Sequence, residues 1–311
     1  MEDLLSKIEQ CGILPVIKID DARDAVPLAD AIIKGGLPAA EVTFRTMAAE
    51  AAIRNIVSKF PEMLVGAGTV LTPDQARIAL NSGAQFIVSP GFNPMVVDFC
   101  LEQGVLVMPG ISTPTELEAA MSKGLTLVKF FPAGALGGLA YLKSMSAPYS
   151  GVHFIPTGGV DASNLLDYLK FNKVLACGGS WMVKADLIAA HQFERITALV
   201  AEAVATILGF HLHQIRLNAS SESLEMVASF SRDIFHLPTQ IGEKGLRLGE
   251  ILELAPINSP GEIVIGTNFL FRAVAYFEQN DIALKSPFDP EKNEVLLDQT
   301  VNGLQVVVRQ V

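Results

Sequence analysis

The sequence has few of the residues that mark secreted, membrane or nucleic-acid-binding proteins. It has only three cysteines and one tryptophan in 311 residues. Cys11, Cys100 and Cys177 form neither a CxxC pair nor a regular framework, so we expect reduced, packed thiols of a cytoplasmic protein. No apolar run is long enough to span a bilayer, and residues 1–10 predict an amphipathic helix instead of a secretory signal.

Positive charge is also scarce. The chain has 23 Lys and Arg residues against 33 Asp and Glu residues, a formal net charge of -10. No basic run is interleaved with aromatic residues, which argues against a nucleic-acid partner. An anionic small molecule can still bind where cations are concentrated locally. A mean hydropathy of +0.38 is typical of a protein with doubly buried parallel strands.

Short β-rich runs alternate with amphipathic helical patterns over residues 1–210. Eight such repeats, at a spacing of about 22 residues, favour an α/β fold of the (β/α)8 TIM-barrel type over an open sheet. We predict strands at 13–19, 40–44, 64–68, 86–88, 105–108, 127–131, 153–156 and 174–177. Helices are predicted at 22–34, 48–59, 73–82, 94–102, 114–122 and 193–208.

The pattern changes after residue 210, and residues 211–311 predict a separate, small α+β domain. It contains two similar strand–helix halves, which predicts two related half-repeats. We predict strands at 213–218, 246–248, 251–254, 262–266, 294–297 and 305–309, and helices at 221–235 and 269–280.

Lys129 is a charged amine within an apolar strand pattern. A buried ammonium must find a partner or lose its proton. A neutral amine is a nucleophile that can condense with a substrate carbonyl. The alternative is a lysine whose stem packs while its head reaches water.

Glu41, Thr43 and Arg45 lie on one side of the second strand by the alternation of side chains. A parallel barrel strand has no solvated face, so these residues are expected to point into the barrel. A purely structural ion pair is the alternative. We expect Arg45 to hold a substrate carboxylate, Lys129 to form a Schiff base with the adjacent ketone, and Glu41 to move protons.

Glycine pairs follow the last two predicted barrel strands. In this fold, loops at these positions often hold a phosphate group on backbone N–H groups. Tight turns also use paired glycines, which leaves a conformational role open. The residues concerned are Gly158, Gly159, Gly178, Gly179 and Ser180.

Several motifs, in order, resemble the 2-keto-3-deoxy-6-phosphogluconate (KDPG) and 4-hydroxy-2-oxoglutarate (KHG) aldolase family. The resemblance covers residues 10–208 and implies a trimeric TIM-barrel lyase that forms a Schiff base and releases pyruvate, with no metal or cofactor. The matching segments are Pro15-Val-Ile17, Glu41-Val-Thr-Phe-Arg45, Val65-Gly-Ala-Gly-Thr-Val-Leu71, Ser89-Pro-Gly91, Pro109-Gly-Ile-Ser-Thr113, Lys129-Phe-Phe-Pro-Ala133, Pro156-Thr-Gly-Gly159 and Gly178-Gly-Ser-Trp181.

The resemblance also implies roles for individual residues. Lys129 matches the Schiff-base lysine and Glu41 the proton-transferring carboxylate. Arg45 and Thr69 match the groups that hold the pyruvate carboxylate. Phe131 matches the apolar wall of the site, and Gly158, Gly159 and Ser180 match its phosphate end. The other predicted substrate contacts, in neighbouring motif positions, are Pro90, Thr157, Gly178 and Gly179.

Residues 211–311 weakly resemble the glyoxalase, or vicinal oxygen chelate, superfamily. A metal site there would need ligands on inner strands, for which His211, His213 and Glu253 are candidates. Glu262 replaces an expected histidine, and the last strand lacks a carboxylate at the expected place. We therefore predict an accessory domain for assembly or regulation that holds no metal.

The sequence leaves three functional classes open. The first is a lyase acting on 2-dehydro-3-deoxy-6-phosphogluconate, with 4-hydroxy-2-oxoglutarate or the phosphorylated galactonate epimer as alternative substrates. The second is a phosphate-binding isomerase or synthase that uses Glu41 as a base without covalent chemistry, since fold does not determine function. The third is a sensor or scaffold with an inert barrel. The partners expected are a small 2-keto acid substrate, pyruvate and two further copies of the chain.

Overall fold

The structure is a computed structural model that describes residues 2–218, 224, 226–228, 239–242, 245–248, 251–255 and 261–311. The chain forms two compact units, Met1–Ile207 and Leu208–Val311. No helix in the described ranges is both long and apolar enough to cross a membrane. None of the three cysteines, which all lie in the described ranges, forms a disulfide, and burial raises the pKa of Cys100 to about 11.

The first unit alternates strands and helices along the chain. The strands are β1 (Ile13–Ile17), β2 (Ala39–Thr43), β3 (Leu64–Gly68), β4 (Phe86–Val88), β5 (Leu106–Met108), β6 (Gly110–Ile111), β7 (Leu127–Phe130), β8 (His153–Pro156) and β9 (Cys177–Gly179). The helices are α1 (Glu2–Cys11), α2 (Ala25–Lys34), α3 (Ala49–Lys59), α4 (Pro73–Asn81), α5 (Pro94–Glu102), α6 (Pro114–Ser122), α7 (Gly138–Ser146), α8 (Leu165–Leu169), α9 (Ala185–Ala189) and α10 (Phe193–Leu208).

The start of three helices follows one local rule. In α4, α5 and α6 a proline stands at the first helical position, where its missing N–H costs nothing. The preceding Thr72, Asn93 or Thr113 accepts a backbone N–H of the first turn, which caps the helix. The sequence therefore predicts the first residue of these helices correctly.

All strand pairs of the first unit are parallel. Six strands form one sheet in the order β5-β4-β3-β2-β1-β9, and a second sheet has the order β6-β7-β8. Bridges Phe154↔Val174 and Thr157↔Gly178 link the region of β8 to that of β9. Between β5 and β6 stands Pro109, which has no N–H to donate to a ladder. The result is a curled α/β arrangement of parallel strands and helices that is TIM-like.

An apolar cluster fills the interior beside α1. It includes Leu14 of β1, Leu64 of β3, Phe86 of β4 and Leu127 of β7, all buried, and Ile8 of α1 closes this end. Because side chains alternate along a strand, the residues two positions further on share the same interior face. The interior is therefore apolar at one end and can carry polar side chains at the other.

Sequence and structure differ at three helices and two strands of this unit. The strand β6, Gly110–Ile111, was not predicted. Helices α7, α8 and α9 were not predicted, and two of them are only five residues long. The eighth strand was predicted at 174–177, but the ladder with β1 begins at Cys177 and runs through Gly179. The apolar residues before it form only an isolated bridge at Val174.

The second unit is mostly sheet. Its strands are β10 (His211–Asn218), β11 (Thr239–Gly242), β12 (Gly245–Leu248), β13 (Leu252–Ala255), β14 (Glu262–Thr267), β15 (Glu294–Val301) and β16 (Leu304–Gln310), and its helix α11 is Leu270–Gln279. They form one sheet in the order β11-β12-β13-β10-β14-β16-β15. The strand β11 was not predicted, and most of the helix predicted at 221–235 lies outside the described residues.

The second sheet consists of two similar halves. In one half β13 lies parallel to β10, and in the other β16 lies parallel to β14. The halves meet where β10 and β14 pair antiparallel.

The packing around Gly66 makes a testable prediction about stability. A Cβ atom at Gly66 would lie 2.0 Å from Cε2 of Phe86, which is itself fully buried. We expect Gly66→Ala to lower the free energy of unfolding by about 1–3 kcal/mol through overpacking. The matched control is Gly91→Ala, because no atom lies within 4 Å of a Cβ there. Thermal unfolding followed by circular dichroism measures both, and equal melting temperatures would contradict the prediction.

Candidate active site

Lys129 and Glu41 form a buried ion pair. The Nζ atom of Lys129 lies 3.2 Å from Oε1 of Glu41 and donates a hydrogen bond to it. Lys129 is 6% exposed and Glu41 2% exposed. Leu127, two residues before Lys129 on β7, belongs to the interior core, so Lys129 projects to the same interior face. The structure therefore excludes the alternative in which this lysine reaches bulk water.

The neighbouring strand leaves room for the carboxylate. In the register of β2 and β3, Glu41 lies beside Gly66 and Thr43 beside Gly68. A Cβ atom at Gly68 would lie 2.1 Å from Oε1 of Glu41. The glycines of the Gly66-Ala-Gly68 motif therefore have a steric role, because larger side chains would displace Glu41 or Phe86.

Arg45 and Thr69 lie together just past the ends of β2 and β3. The Nε–H of Arg45 donates to Oγ1 of Thr69 over 3.4 Å. Thr69 has a φ of 57°, a left-handed backbone conformation that is uncommon for threonine. Strain of this kind is often found at functional sites. Thr43, the third polar residue of the second strand, donates its hydroxyl to the carbonyl of Ile17 over 2.8 Å.

A cavity of about 440 Å³ opens at the carboxyl ends of the strands. Thr43 and Phe131 belong to its lining, and each lies two residues beyond one member of the ion pair, on the same strand face. The ring of Phe131 also faces the ammonium group, with Nζ of Lys129 5.3 Å from the ring centroid. The buried pair thus lies between the apolar core and the cavity.

The cavity is lined by several residues singled out from the sequence. Gly158 and Gly159 have φ values of 85° and 82°, so this turn needs glycine at both positions. A Cβ atom at Gly178 would lie 2.3 Å from Oγ1 of Thr157, so a residue without a side chain fits at this position. The predicted residues that line the cavity are Arg45, Phe131, Thr157, Gly158, Gly159, Gly178 and Ser180.

Other predicted contacts do not line the cavity. Besides the buried pair, these are Thr69, Pro90 and Gly179. Because side chains alternate along β9, Gly179 faces the side of the strand opposite to Gly178. The ring of Trp181 fills the space beside Gly179. Pro90 packs through its carbonyl oxygen, which would lie 2.1 Å from a Cβ at Gly110. The Ser89-Pro-Gly91 motif and the Pro109-Gly110 motif therefore pack against each other.

Sequence reasoning did not assign seven residues of the lining to the site: Val16, Lys18, Val160, Val183, Lys184, Ala185 and Asp186. Val16 and Lys18 stand at the end of β1, a position that the strand-end rule could have found. Lys184 and Asp186 also line the cavity, but they belong to the start of α9, which was not predicted.

Of the candidate metal ligands of the second unit, His211 lies with its Nδ1 2.9 Å from the carbonyl oxygen of Gly209, and Glu253 is engaged with other side chains. Glu253 accepts hydrogen bonds from Gln214 and Arg216, and Glu262 accepts one from Arg216 over 2.7 Å. Within the described ranges, no group of three or more His, Cys, Asp or Glu residues could hold a metal ion.

Comparisons with known proteins agree with this geometry. The model of the KDPG and KHG aldolase family matches residues 4–199. The 2-dehydro-3-deoxy-phosphogluconate aldolase of Treponema pallidum is 50% identical over 199 residues, which cover 64% of this chain and 95% of that protein. The KHG/KDPG aldolase of Escherichia coli K12 is 45% identical over 192 residues, covering 62% of this chain and 90% of that protein.

Solved structures of similar proteins match the same part of the chain. KDPG aldolase of Legionella pneumophila, with pyruvate captured as a covalent carbinolamine, has a TM-score of 0.62 at 36% identity and covers 64% of this chain and 97% of its own. The aldolase of Zymomonas mobilis ZM4 with 3-phosphoglycerate has a TM-score of 0.60 at 37% identity and covers 65% and 95% of the two chains. From the family match and these relatives, the chain belongs to the KDPG and KHG aldolase family and is an aldolase, a carbon–carbon lyase.

Proposed function

We propose that the protein is a class I aldolase that cleaves 2-dehydro-3-deoxy-6-phosphogluconate to pyruvate and D-glyceraldehyde 3-phosphate. The observation that carries the proposal is the buried pair of Lys129 and Glu41 next to a cavity with a guanidinium at its rim. The relatives named for this reaction, at 40–50% identity, support the choice of substrate.

The first step needs a neutral amine. Glu41, 3.2 Å from Nζ of Lys129, is placed to take the proton that the ammonium must lose. The free amine adds to the C2 ketone to form a carbinolamine. Glu41 returns the proton to the departing hydroxyl group, and loss of water gives a protonated imine with Glu41 again a carboxylate. Arg45 and Thr69 hold the adjacent carboxylate by charge-assisted hydrogen bonds, which orients the ketone toward the amine.

The second step breaks the bond between C3 and C4. Glu41 removes the proton of the C4 hydroxyl, and the aldehyde leaves as the bonding electron pair moves into the imine to give an enamine. Protonation of the enamine at C3, followed by hydrolysis of the imine, releases pyruvate and restores Lys129. The low exposure of both side chains keeps bulk water away from the enamine.

The other cavity residues are assigned to substrate binding. Phe131 packs against the carbon chain, and Pro90 and Thr157 support the walls. Gly158, Gly159, Gly178 and Ser180 form the phosphate end, where backbone can approach the anion closely because side chains are absent or small. Gly179 is left out of this assignment, because the ring of Trp181 fills the space beside it. The same site could take 4-hydroxy-2-oxoglutarate or the galactonate epimer, and discrimination between epimers depends on a single hydroxyl contact.

We also propose the finer architecture. The bridges between β8 and β9 favour a closed (β/α)8 barrel within residues 1–210. The strand order of residues 211–311, with a parallel pair in each half, supports a glyoxalase-like accessory domain. The acidic side chains of its inner strands pair with Arg216, which favours a domain without a metal.

A homotrimer is proposed from an apolar patch beside the cavity. Met47, Leu71 and Met95 are 99%, 51% and 65% exposed. They follow β2, β3 and β4, three neighbouring parallel strands, so they stand at one edge of the sheet. Leu71 and the loop before Met95 are joined by a hydrogen bond from Asn93 to the carbonyl of Leu71 over 2.9 Å. A contiguous exposed apolar patch is typical of a protein interface.

Trapping of the imine tests the covalent mechanism. Sodium borohydride in the presence of pyruvate should inactivate the enzyme irreversibly and add the mass of the reduced adduct to the peptide that contains Lys129. Lys129→Met should abolish labelling, whereas Lys143→Met, on helix α7, should label as the parent does. A parent that is not labelled would remove the covalent mechanism and leave the non-covalent isomerase or synthase chemistry.

Substitution of Glu41 tests proton transfer. Glu41→Gln keeps the size of the side chain and removes the base, so kcat should fall by about 10² to 10⁴. The variant should still be labelled by borohydride and pyruvate, at a lower rate, because the nucleophile remains. Steady-state kinetics measure the effect, and a kcat equal to that of the parent would remove Glu41 from the mechanism.

Truncation tests the domain assignment and the trimer together. The family model matches residues 4–199, which lie within the first unit, and 199 residues of this chain cover 95% of the Treponema pallidum relative. A chain that ends at residue 210 should therefore fold, sediment with the mass of a trimer, and retain turnover close to that of the full chain. Loss of the trimer alone would assign assembly to residues 211–311, and an inactive, folded trimer would assign them a catalytic role.

A further inference from the structure

Two lysines line the cavity away from the buried pair, and their surroundings differ. The Nζ atom of Lys18 lies 2.8 Å from the carboxylate of Asp20, so its charge is already compensated. Lys184 forms no ion pair with any residue in the described part of the chain. It is thus a cation of the lining with its charge available to a ligand.

We propose that Lys184 recognises the phosphate group of the substrate and gives the enzyme its preference for phosphorylated sugar acids. This inference rests on the proposed function and adds a specificity-determining residue to it. A phosphate monoester carries a charge of about −1.5 to −2 near neutral pH. The same sugar acid without the phosphate offers no such charge to Lys184.

The position of Lys184 follows from the backbone after β9. Ser180, at the glycine end of the cavity, accepts the N–H of Val183 over 3.1 Å and closes a 3₁₀ turn over Trp181–Val183. Lys184 follows at once, about 8 Å from Ser180 along a turn that rises about 2.0 Å per residue. The flexible four-carbon stem of lysine can span this distance to an anion held at Ser180.

The backbone of Lys184 is held on both sides. Its carbonyl accepts the N–H groups of Leu187 and Ile188 over 3.1 and 3.2 Å, which starts α9. The residue is therefore fixed between the 3₁₀ turn and the helix, and only its side chain is free to move. This limits the entropy lost on ligand binding to that of one side chain.

Asp186 provides a charge of the opposite sign in the same lining. Its Oδ1 accepts the N–H of Leu187 over 3.0 Å, so the carboxylate is held at the start of α9. A carboxylate here repels a phosphate group, while the ammonium of Lys184 attracts it. The two residues should therefore affect phosphate recognition in opposite directions.

The experiment compares kcat/KM for 2-dehydro-3-deoxy-6-phosphogluconate with that for the same compound lacking the phosphate. Lys184→Gln should lower kcat/KM for the phosphorylated substrate by about 2- to 5-fold, the worth of a partly exposed ion pair, mainly through KM. The unphosphorylated substrate should be unaffected. Asp186→Asn should raise kcat/KM for the phosphorylated substrate alone. Lys170→Gln, an exposed lysine outside the lining, is the charge-matched control.

Inhibition by inorganic phosphate gives a second readout. Phosphate should compete with the phosphorylated substrate, and Lys184→Gln should weaken this competition while borohydride labelling with pyruvate stays unchanged. If Lys184→Gln keeps the full preference for the phosphorylated substrate, or lowers turnover of both substrates equally, the inference is wrong. Absence of labelling in the parent would instead overturn the proposed function, so the two failures are distinguishable.

Discussion

The ion pair of Lys129 and Glu41 is the interaction around which the first unit is arranged. Taking both groups out of water costs several kcal/mol, and their mutual attraction offsets this only with good geometry. Such a pair contributes little to stability compared with apolar side chains of the same volume. A purely structural role therefore explains it poorly. A site that needs an amine and a carboxylate in contact, away from bulk water, explains it well.

The residues around the pair meet its steric and electrostatic requirements. Gly68 leaves space for the carboxylate, Phe131 presents its ring to the ammonium, and Leu127 joins the apolar core beneath. Beyond the pair, the cavity separates two kinds of recognition. Arg45 lies just past the end of β2, whereas one glycine pair follows β8, the other lies in β9, and Lys184 follows β9. A substrate with an anionic group at each end would therefore be held by different elements of the ring.

Local signals in the sequence predicted a large share of the fold. Threonine or asparagine before proline marks the starts of α4, α5 and α6, because one residue caps the helix and the next needs no N–H acceptor. The elements that the sequence did not predict correctly also have local causes. Helices α8 and α9 are too short for a helical period to be recognised, and β9 is made of Cys177-Gly-Gly179, which has little strand propensity. The eighth strand was therefore predicted at the apolar residues just before β9.

The sequence alone determined which residues could do chemistry and which face of each strand they occupy, since alternation is a property of the extended backbone. Only the tertiary structure decided the partners. Lys129 and Glu41 are 88 positions apart, and they meet because strands from both sheets surround the same apolar interior. Likewise Arg45 contacts Thr69, and Lys184 joins the cavity through a helix too short to predict. Contacts between distant segments depend on register and packing, which no local pattern encodes.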